Sequence, residues 1–315
     1  MKKVLFLIPV TILANQELSL LDEYHIKISK WILDKSDAID RYLSGENDDK
    51  NLSNTKLTLS YEIGSDNKGK ISNNFDFSLS LNLPRFQKKS QLIFEKVIEN
   101  RGVIGNSESL LSKSDINKTE NNYNLAIRFS QWHGKKSSIN FAGGVRFSTR
   151  TVIEPYVGFN LGYNIISNEK TEFNVKNSFR YYLAGECKNI LSSQYLYNYR
   201  DDILLGWFGS FTYSNKLSNQ YLRSEFIYHK VINDYKFYRV GLIGNAKLTH
   251  FKHFRKNDFE IYVKYHDRYK NKKWLSYEVT PFVDLKRDYD YHTSYGIRLK
   301  VSATFGGIKD ILNKK

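Results

Sequence analysis

The chain has 315 residues, of which 48 are Lys or Arg and 33 are Asp or Glu, for a formal charge of +15. A single Cys excludes an internal disulfide, leaving Cys187 as a buried small residue or a loop thiol. A mean hydropathy of −0.52 excludes a bundle of membrane-spanning helices, yet 23 Tyr, 20 Phe and 4 Trp are many aromatics for so polar a chain.

At the amino terminus Lys2 and Lys3 precede an apolar run from Val4 to Leu13, then Ala14 and the polar Asn15-Gln16-Glu17. That order predicts a secretory signal peptide over residues 1–14, cleaved after Ala14, because the run falls well short of the roughly 20 residues that span a bilayer. No lipobox Cys follows. Loss of Lys2 and Lys3 takes the charge from +15 to +13. The remaining basic residues form no single patch or basic helix, and export weakens the usual inference from such a charge, so nucleic acid is not an expected partner.

Residues 15–53 are predicted to form a helical segment. Within residues 18–44, Leu21, Tyr24, Ile28, Trp31, Ile32, Ile39, Tyr42 and Leu43 recur at helix spacing, with Asp22, Lys27, Lys30 and Asp34 between them, and Gly45 ends the run. Such a helix could plug a lumen, lie on a leaflet, bind a periplasmic partner, or pack through its apolar face beneath the following domain. Asp34, Asp37 and Asp40 are expected to be spread along a solvated face, and without an EF-hand glycine pattern they do not read as a cation site.

From about Asn54 the period becomes two. Tyr295, Ile297, Leu299, Val301, Ala303 and Phe305 alternate with Gly296, Arg298, Lys300, Ser302 and Thr304, and Leu57, Leu59, Tyr61 and Ile63 alternate with Lys56, Thr58, Ser60 and Glu62. One such strand would suit a soluble sandwich equally well. Repetition over residues 54–305, with 4 Pro in the whole chain, predicts a transmembrane antiparallel β-barrel, apolar outside and polar inside.

The turn signals divide this region into strands at 54–63, 73–83, 90–98, 122–132, 137–148, 152–165, 170–183, 189–200, 203–214, 219–231, 235–248, 258–268, 273–285 and 291–305, about fourteen, with twelve the alternative. The strands at 90–98 and 189–200 alternate poorly. An even number puts both termini, including a tail over 306–315, in the periplasm, and makes His133–Lys136, Ser167–Lys170, Arg200–Asp202, Ile232–Asp234 and Tyr269–Lys272 periplasmic turns. The longest loop, Asn100 to Asn121, then falls outside the cell.

Alternation assigns to the lumen the basic Arg128, Arg146, Lys176, Arg180, Arg239, Lys264, Arg298 and Lys300, and the acidic Glu154, Glu172, Glu260, Glu278 and Asp284. Opposite charges on neighbouring strands would form a structural network, since buried charges must pair. A sided arrangement would instead tune ion selectivity. His292 and Ser294 form an H-x-S of the kind found at the rim of lipid-hydrolysing barrels, but Tyr295 and Gly296 follow where those enzymes carry Asn, so enzymatic activity is not expected. Nor is a cofactor or metal expected.

The segment YHDRYKNKKWLSYEVTPFVDLKRDYDYHTSYGIRLKVSATFGG from Tyr265 resembles the end of an uncharacterised family of proteobacterial outer-membrane proteins. It shares a basic turn, W-L-x-x-E-V-x-P at Trp274, Leu275, Glu278, Val279 and Pro281, a charged aromatic loop and a last strand closing on an aromatic and Gly. LNLPRFQKKSQLIFE at 81–95 resembles that family's strand, Leu-Pro and basic turn. Together they cover under a third of the chain, and Phe305 departs from the pattern because GGIKDILNKK follows it. The resemblance implies an outer-membrane barrel without naming a substrate. The expected function is a porin-like channel for small, mildly anionic solutes, with a structural or assembly barrel recruiting a periplasmic partner as the first alternative and a lipid-modifying outer-membrane hydrolase as the second. Outer-membrane lipid, lipopolysaccharide, the barrel-assembly machinery and a periplasmic partner at residues 18–44 are the expected partners.

Overall fold

Hydrocarbon offers the backbone no hydrogen bonds, so strands that alternate apolar and polar residues can cross it only if both edges of each strand are paired. The computed structural model has that form. It describes residues 17–45, 55–82, 90–97, 122–133, 136–147, 153–215, 219–249, 253–269, 272–286 and 291–306. The expected signal peptide, the loop from Asn100 to Asn121 and the tail after Gly306 lie outside the described residues.

Among the described residues are one helix, α1 (Glu17–Ser44), and fourteen strands. In chain order these are β1 (Lys56–Asp66), β2 (Ile71–Asn82), β3 (Ser90–Val97), β4 (Asn122–His133), β5 (Ser137–Phe147), β6 (Ile153–Ser167), β7 (Thr171–Tyr182), β8 (Glu186–Arg200), β9 (Ile203–Ser214), β10 (Asn219–Asn233), β11 (Lys236–Thr249), β12 (His253–Tyr269), β13 (Lys272–Lys286) and β14 (Thr293–Gly306). Each strand pairs antiparallel with its neighbours in the chain, and β1 pairs with β14 to close the ring, from Lys56 opposite Gly306 to Asp66 opposite Gly296. The fold is a fourteen-stranded transmembrane β-barrel, with the poorly alternating strands at 90–97 and 186–200 in their places.

The burial pattern distinguishes this barrel from a soluble sandwich. Leu299 and Val301 on β14 are 44% and 50% exposed, whereas Ser294 and Arg298 on the same strand are buried. A sandwich would bury the aliphatic row and expose the polar one. Here the aliphatic row faces outward, where lipid replaces a protein core. Near the end of the barrel that carries the termini, outward Tyr238, Tyr265 and Tyr277 form a chain of rings with centroids 5.0 and 6.0 Å apart, part of an interfacial girdle.

Inward glycines make room for bulky neighbours. A Cβ on Gly241 would lie 2.2 Å from the Tyr262 ring, which stands opposite it in the β11–β12 register. Likewise, a Cβ on Gly158 would lie 3.2 Å from Cγ of Arg180. The turns use side-chain acceptors: Oδ1 of Asn168 accepts from the backbone N–H groups of Lys170 and Thr171, and Oδ1 of Asp66 from those of Lys68 and Lys70. At the rim that carries the termini, β4, β6, β8, β10 and β12 each shift register just before their turns, as at Ser130/Trp132 and Asn198/Arg200. Such bulges let a strand bend where pairing stops.

Helix α1 ends at Gly45, whose positive φ of 69° and 2.9 Å N–H bond to the Arg41 carbonyl form a left-handed cap. It does not pack through its apolar face. Its buried residues are His25, Ser29, Ile32, Ser36 and Asp40, a mostly polar stripe, while Tyr24, Trp31 and Tyr42 are exposed. The stripe sits across the closing seam. Nε2 of His25 lies 2.8 Å from the Thr304 carbonyl, the Gly306 N–H donates to Oγ of Ser29 at 3.1 Å, and the Ser36 and Thr55 hydroxyls are 2.6 Å apart. Asp22 accepts from Nε1 of Trp274 at 2.9 Å and pairs with Lys272, and the His25 ring stacks on Trp274 with centroids 4.5 Å apart.

The inside-out pattern yields a paired test. Leu299→Arg should impair insertion by about 2–4 kcal/mol if the position lies near the midplane. Ser302→Arg, on the inward row beside Ser60, should cost less. Refolding into liposomes across a urea series reads the difference, and equal tolerance of the two would contradict an outward-facing lipid row.

Candidate functional site

The strand register places every charged residue assigned to the lumen on the inward row. Arg146 stands opposite Glu154, Lys176 opposite Ser192, Arg180 opposite Lys188, Arg239 opposite Lys264, Glu260 opposite Asp284, and Glu278 opposite Lys300. Lys300 faces Glu62 on its other side, Arg298 faces Gly64 there, and Glu172 is an exposed residue opposite Leu196 near the rim with the termini. Arg128 is opposite Ala142 in the register, and its side chain lies outside the described residues.

Two networks organise these groups. On β5–β9, towards the rim opposite the termini, the Arg146 guanidinium donates to Glu154 from Nε at 2.8 Å and to Glu186 at 2.8 Å, and the Ser214 hydroxyl donates to the other Glu186 oxygen at 3.0 Å. The same guanidinium lies 3.9 Å above the Tyr182 ring. Arg180 lies over Tyr156 in similar fashion, its Cζ 5.3 Å from the ring centroid, and Tyr156 packs against Tyr182. The Arg146 cation is therefore held between acceptors and a π-face, which offsets part of its desolvation.

The second network covers β10–β14. Arg223 donates to Glu225 at 2.9 Å, the Tyr262 hydroxyl donates to the other Glu225 oxygen at 2.7 Å, and Arg298 pairs with Glu260 while lying over Phe282. Nearer the termini, Glu278 accepts from Lys264 at 3.3 Å and is 3.3 Å from Nδ1 of His266. Arg239 donates to Nδ1 of His229, and the Phe237 ring lies between His229 and His266 with centroids 4.6 and 4.7 Å away.

Opposite-charge pairing is only part of the pattern. Arg180 faces Lys188 and Arg239 faces Lys264, while Glu260 faces Asp284, so these opposed inward pairs carry like charge. Like charges directly opposite each other destabilise a sheet. The basic pair on β7 and β8 lies on a different arc of the wall from the acidic pair on β12 and β13. The second basic pair, on β11 and β12, shares the arc of that acidic pair, so both signs of charge occur on the same side of the wall.

Several inward groups escaped the sequence reading. Glu186 and Lys188 begin β8 three residues before the expected start, in a stretch that reads as a turn after Gly185. Arg223, Glu225 and His229 share the inward row of β10 with Ile227, which breaks the polar alternation that would have revealed them. Trp274 stood out in sequence as part of W-L-x-x-E-V-x-P, but its partner Asp22 is 252 positions away. For the H-x-S pair, the Ser294 hydroxyl is fully buried opposite Asp284 whereas His292 is exposed at the end of β14. Cys187 is half-buried on the outward row.

No protein-family model matches the chain, and no curated protein matches its sequence. Solved structures do match. OmpT, an outer membrane protein of Vibrio cholerae folded in vitro, superposes with a TM-score of 0.50 at 6% identity, over 82% of this chain and 99% of that one. OprB of Pseudomonas putida gives a TM-score of 0.49 at 10% identity, over 80% and 92% of the two chains. What the first superposition shows is a shared barrel fold, the level at which the resemblance of the carboxy-terminal segment is met.

The Arg146 network can be tested by removing its centre. Arg146→Ala leaves Glu154 and Glu186 facing each other without the cation between them, and should destabilise the refolded barrel by about 3 kcal/mol in a urea titration. Adding Glu186→Gln should restore part of that loss.

Proposed function

We propose that this protein is an outer-membrane barrel whose charged lumen passes small solutes with a preference for anions. The carrying observation is the like-charge pairing of the inward row. Arg180 with Lys188 and Arg239 with Lys264 hold two basic stations on the wall, the first towards the rim opposite the termini and the second nearer the rim that carries them. A wall built only for stability would set acids against bases at these positions. Cationic stations offer a passing anion a partial substitute for its hydration shell, and their spacing lets it leave one for the next. The acidic pair at Glu260 and Asp284 makes the expected preference modest.

Several features together support an outer-membrane location with periplasmic termini. A signal peptide is expected at residues 1–14, the barrel fold is that of an outer-membrane protein, and the carboxy-terminal W-L-x-x-E-V-x-P segment resembles an outer-membrane family. The termini share one rim with the turns at 168–170, 201–202 and 234–235, and short turns on the terminal side suit a periplasmic face. An epitope at Ser109, in the long connection between β3 and β4, should therefore be reachable on intact cells. One placed between β4 and β5 should need a permeabilised outer membrane, and the reverse result would invert the orientation.

A second reading has its own support. Tyr182, Phe208, Ile227, Ile243 and Tyr262 are buried on the inward row, so the barrel's own side chains narrow the passage and a purely structural barrel is the competing function. Planar-bilayer recording distinguishes the two. The refolded full chain should carry current with a reversal potential displaced towards the anion value. Arg180→Gln with Lys188→Gln, or Arg239→Gln with Lys264→Gln, should move that potential towards cations. Absence of any single-channel current would favour the structural barrel.

A further inference from the structure

Helix α1 has three faces rather than two. Successive helical residues are about 100° apart, so His25, Ser29, Ile32, Ser36 and Asp40 fall in one sector about 80° wide, and these are its buried residues. Leu20, Tyr24, Ile28, Trp31, Ile39 and Tyr42 occupy a second sector centred about 110° away, and all six are exposed, Trp31 by 61% and Tyr42 by 87%. Glu23, Lys27, Lys30, Asp34 and Arg41 occupy the third, where Lys27 and Glu23 form an exposed pair at 2.9 Å. A helix with barrel on one side and water on the rest would need two faces. The additional apolar face requires a third surrounding.

The seat of the helix indicates which surrounding that is. The ring of His25 stacks on Phe305, 5.2 Å between centroids, and Phe305 is the last residue of the outward row that runs through Leu299 and Val301. The helix thus rests across the rim of the barrel, against Phe305 where the lipid-facing row ends and, through Asp22, against Lys272 and Trp274 where the inward row of β13 ends. The girdle of Tyr238, Tyr265 and Tyr277 lies at the same end. The apolar sector carries Tyr24, Trp31 and Tyr42, the residue types that concentrate at the headgroup level of a bilayer. Glu17 and Lys35 fall in the same sector by spacing, and a Lys there can keep its ammonium among headgroups while its stem lies on apolar surface.

We infer that α1 lies in the membrane interface beside the β14–β1 seam, with Tyr24, Ile28, Trp31 and Tyr42 in the leaflet on the terminal side of the barrel. The inference rests on the outer face of the barrel meeting lipid. The helix then fills the junction of barrel wall, leaflet and water, one face to each.

The test uses the full chain refolded into liposomes of phosphatidylethanolamine and phosphatidylglycerol. In a Cys187→Ser background, nitroxide labels are placed singly on cysteines substituted for Trp31, Tyr42, Lys30 and Asp34, with Leu299 as the lipid reference. Paramagnetic accessibility to oxygen and to a water-soluble nickel chelate is then read at each site. Labels at positions 31 and 42 should favour oxygen several-fold more than those at 30 and 34, on the side of the Leu299 reference. Nickel access at 31 and 42 equal to that at 30 and 34 overturns the inference, as does shielding from both reagents with dipolar broadening, which would indicate a second copy on this face. A Leu299 label reached by nickel would refute the lipid-facing barrel itself, and so separates the two failures.

Discussion

Everything in this molecule depends on the pairing of its first strand with its last. A sheet of fourteen strands that remained open would present the N–H and C=O groups of β1 and β14 to hydrocarbon, where each unsatisfied group costs several kcal/mol. The in-register run from Lys56–Gly306 to Asp66–Gly296 removes that edge. Closure also separates the two rows of side chains into an outside and an inside. Only then does the inverted burial become stable, because the polar row can be satisfied by its own members and the aliphatic row needs no protein partner.

The same closure limits the space in which charges can be satisfied. Inward residues cannot reach bulk water sideways, so a guanidinium takes its contacts from the wall itself, from its own strand or from strands up to three positions round it. Arg146 on β5 reaches Glu186 on β8, and Arg298 on β14 reaches Glu260 on β12. Small residues are as necessary to this as charged ones, since Tyr262 reaches Glu225 by lying across the space left at Gly241. Pairing of this kind fixes the wall without making it electrically neutral at every level. Arg180 and Lys188, Arg239 and Lys264, and Glu260 and Asp284 are the positions where like charges stand opposite each other.

Period-two alternation made the barrel legible because it is a local property. β14 could be read from residues 293–306 alone, and the expected bounds of β9, 203–214, are those observed. Alternation fails where both rows are of one kind. β12 begins at His253, five residues before its expected start, because His253-Phe254-Arg255-Lys256-Asn257 shows no apolar row, yet its backbone still pairs with β11 beyond the shift at Asn245/Ala246. The inward positions of the charges could be inferred from parity, but their partners could not. Parity places Glu260 and Arg298 on one surface without saying that they are two strands apart and in contact. The helix was legible in extent and end, down to Gly45, and misleading in its packing. Apolar residues ordinarily mark the buried face, and here the seat consists of backbone groups and polar rings at the strand ends, which select His25, Ser29 and Asp22 instead.

Apart from Ser36 with Thr55, 19 positions apart, the bonds between α1 and the seam span 250 to 279 positions of chain. When the ribosome has completed the helix, none of its seat has been made: Trp274, Thr304 and Gly306 are still to come, and they form one surface only when the last strand finds the first. The helix must therefore wait through the whole growth of the sheet and dock at the end, so that its contacts mark a finished ring and slow its reopening while contributing nothing to the rate at which the strands add.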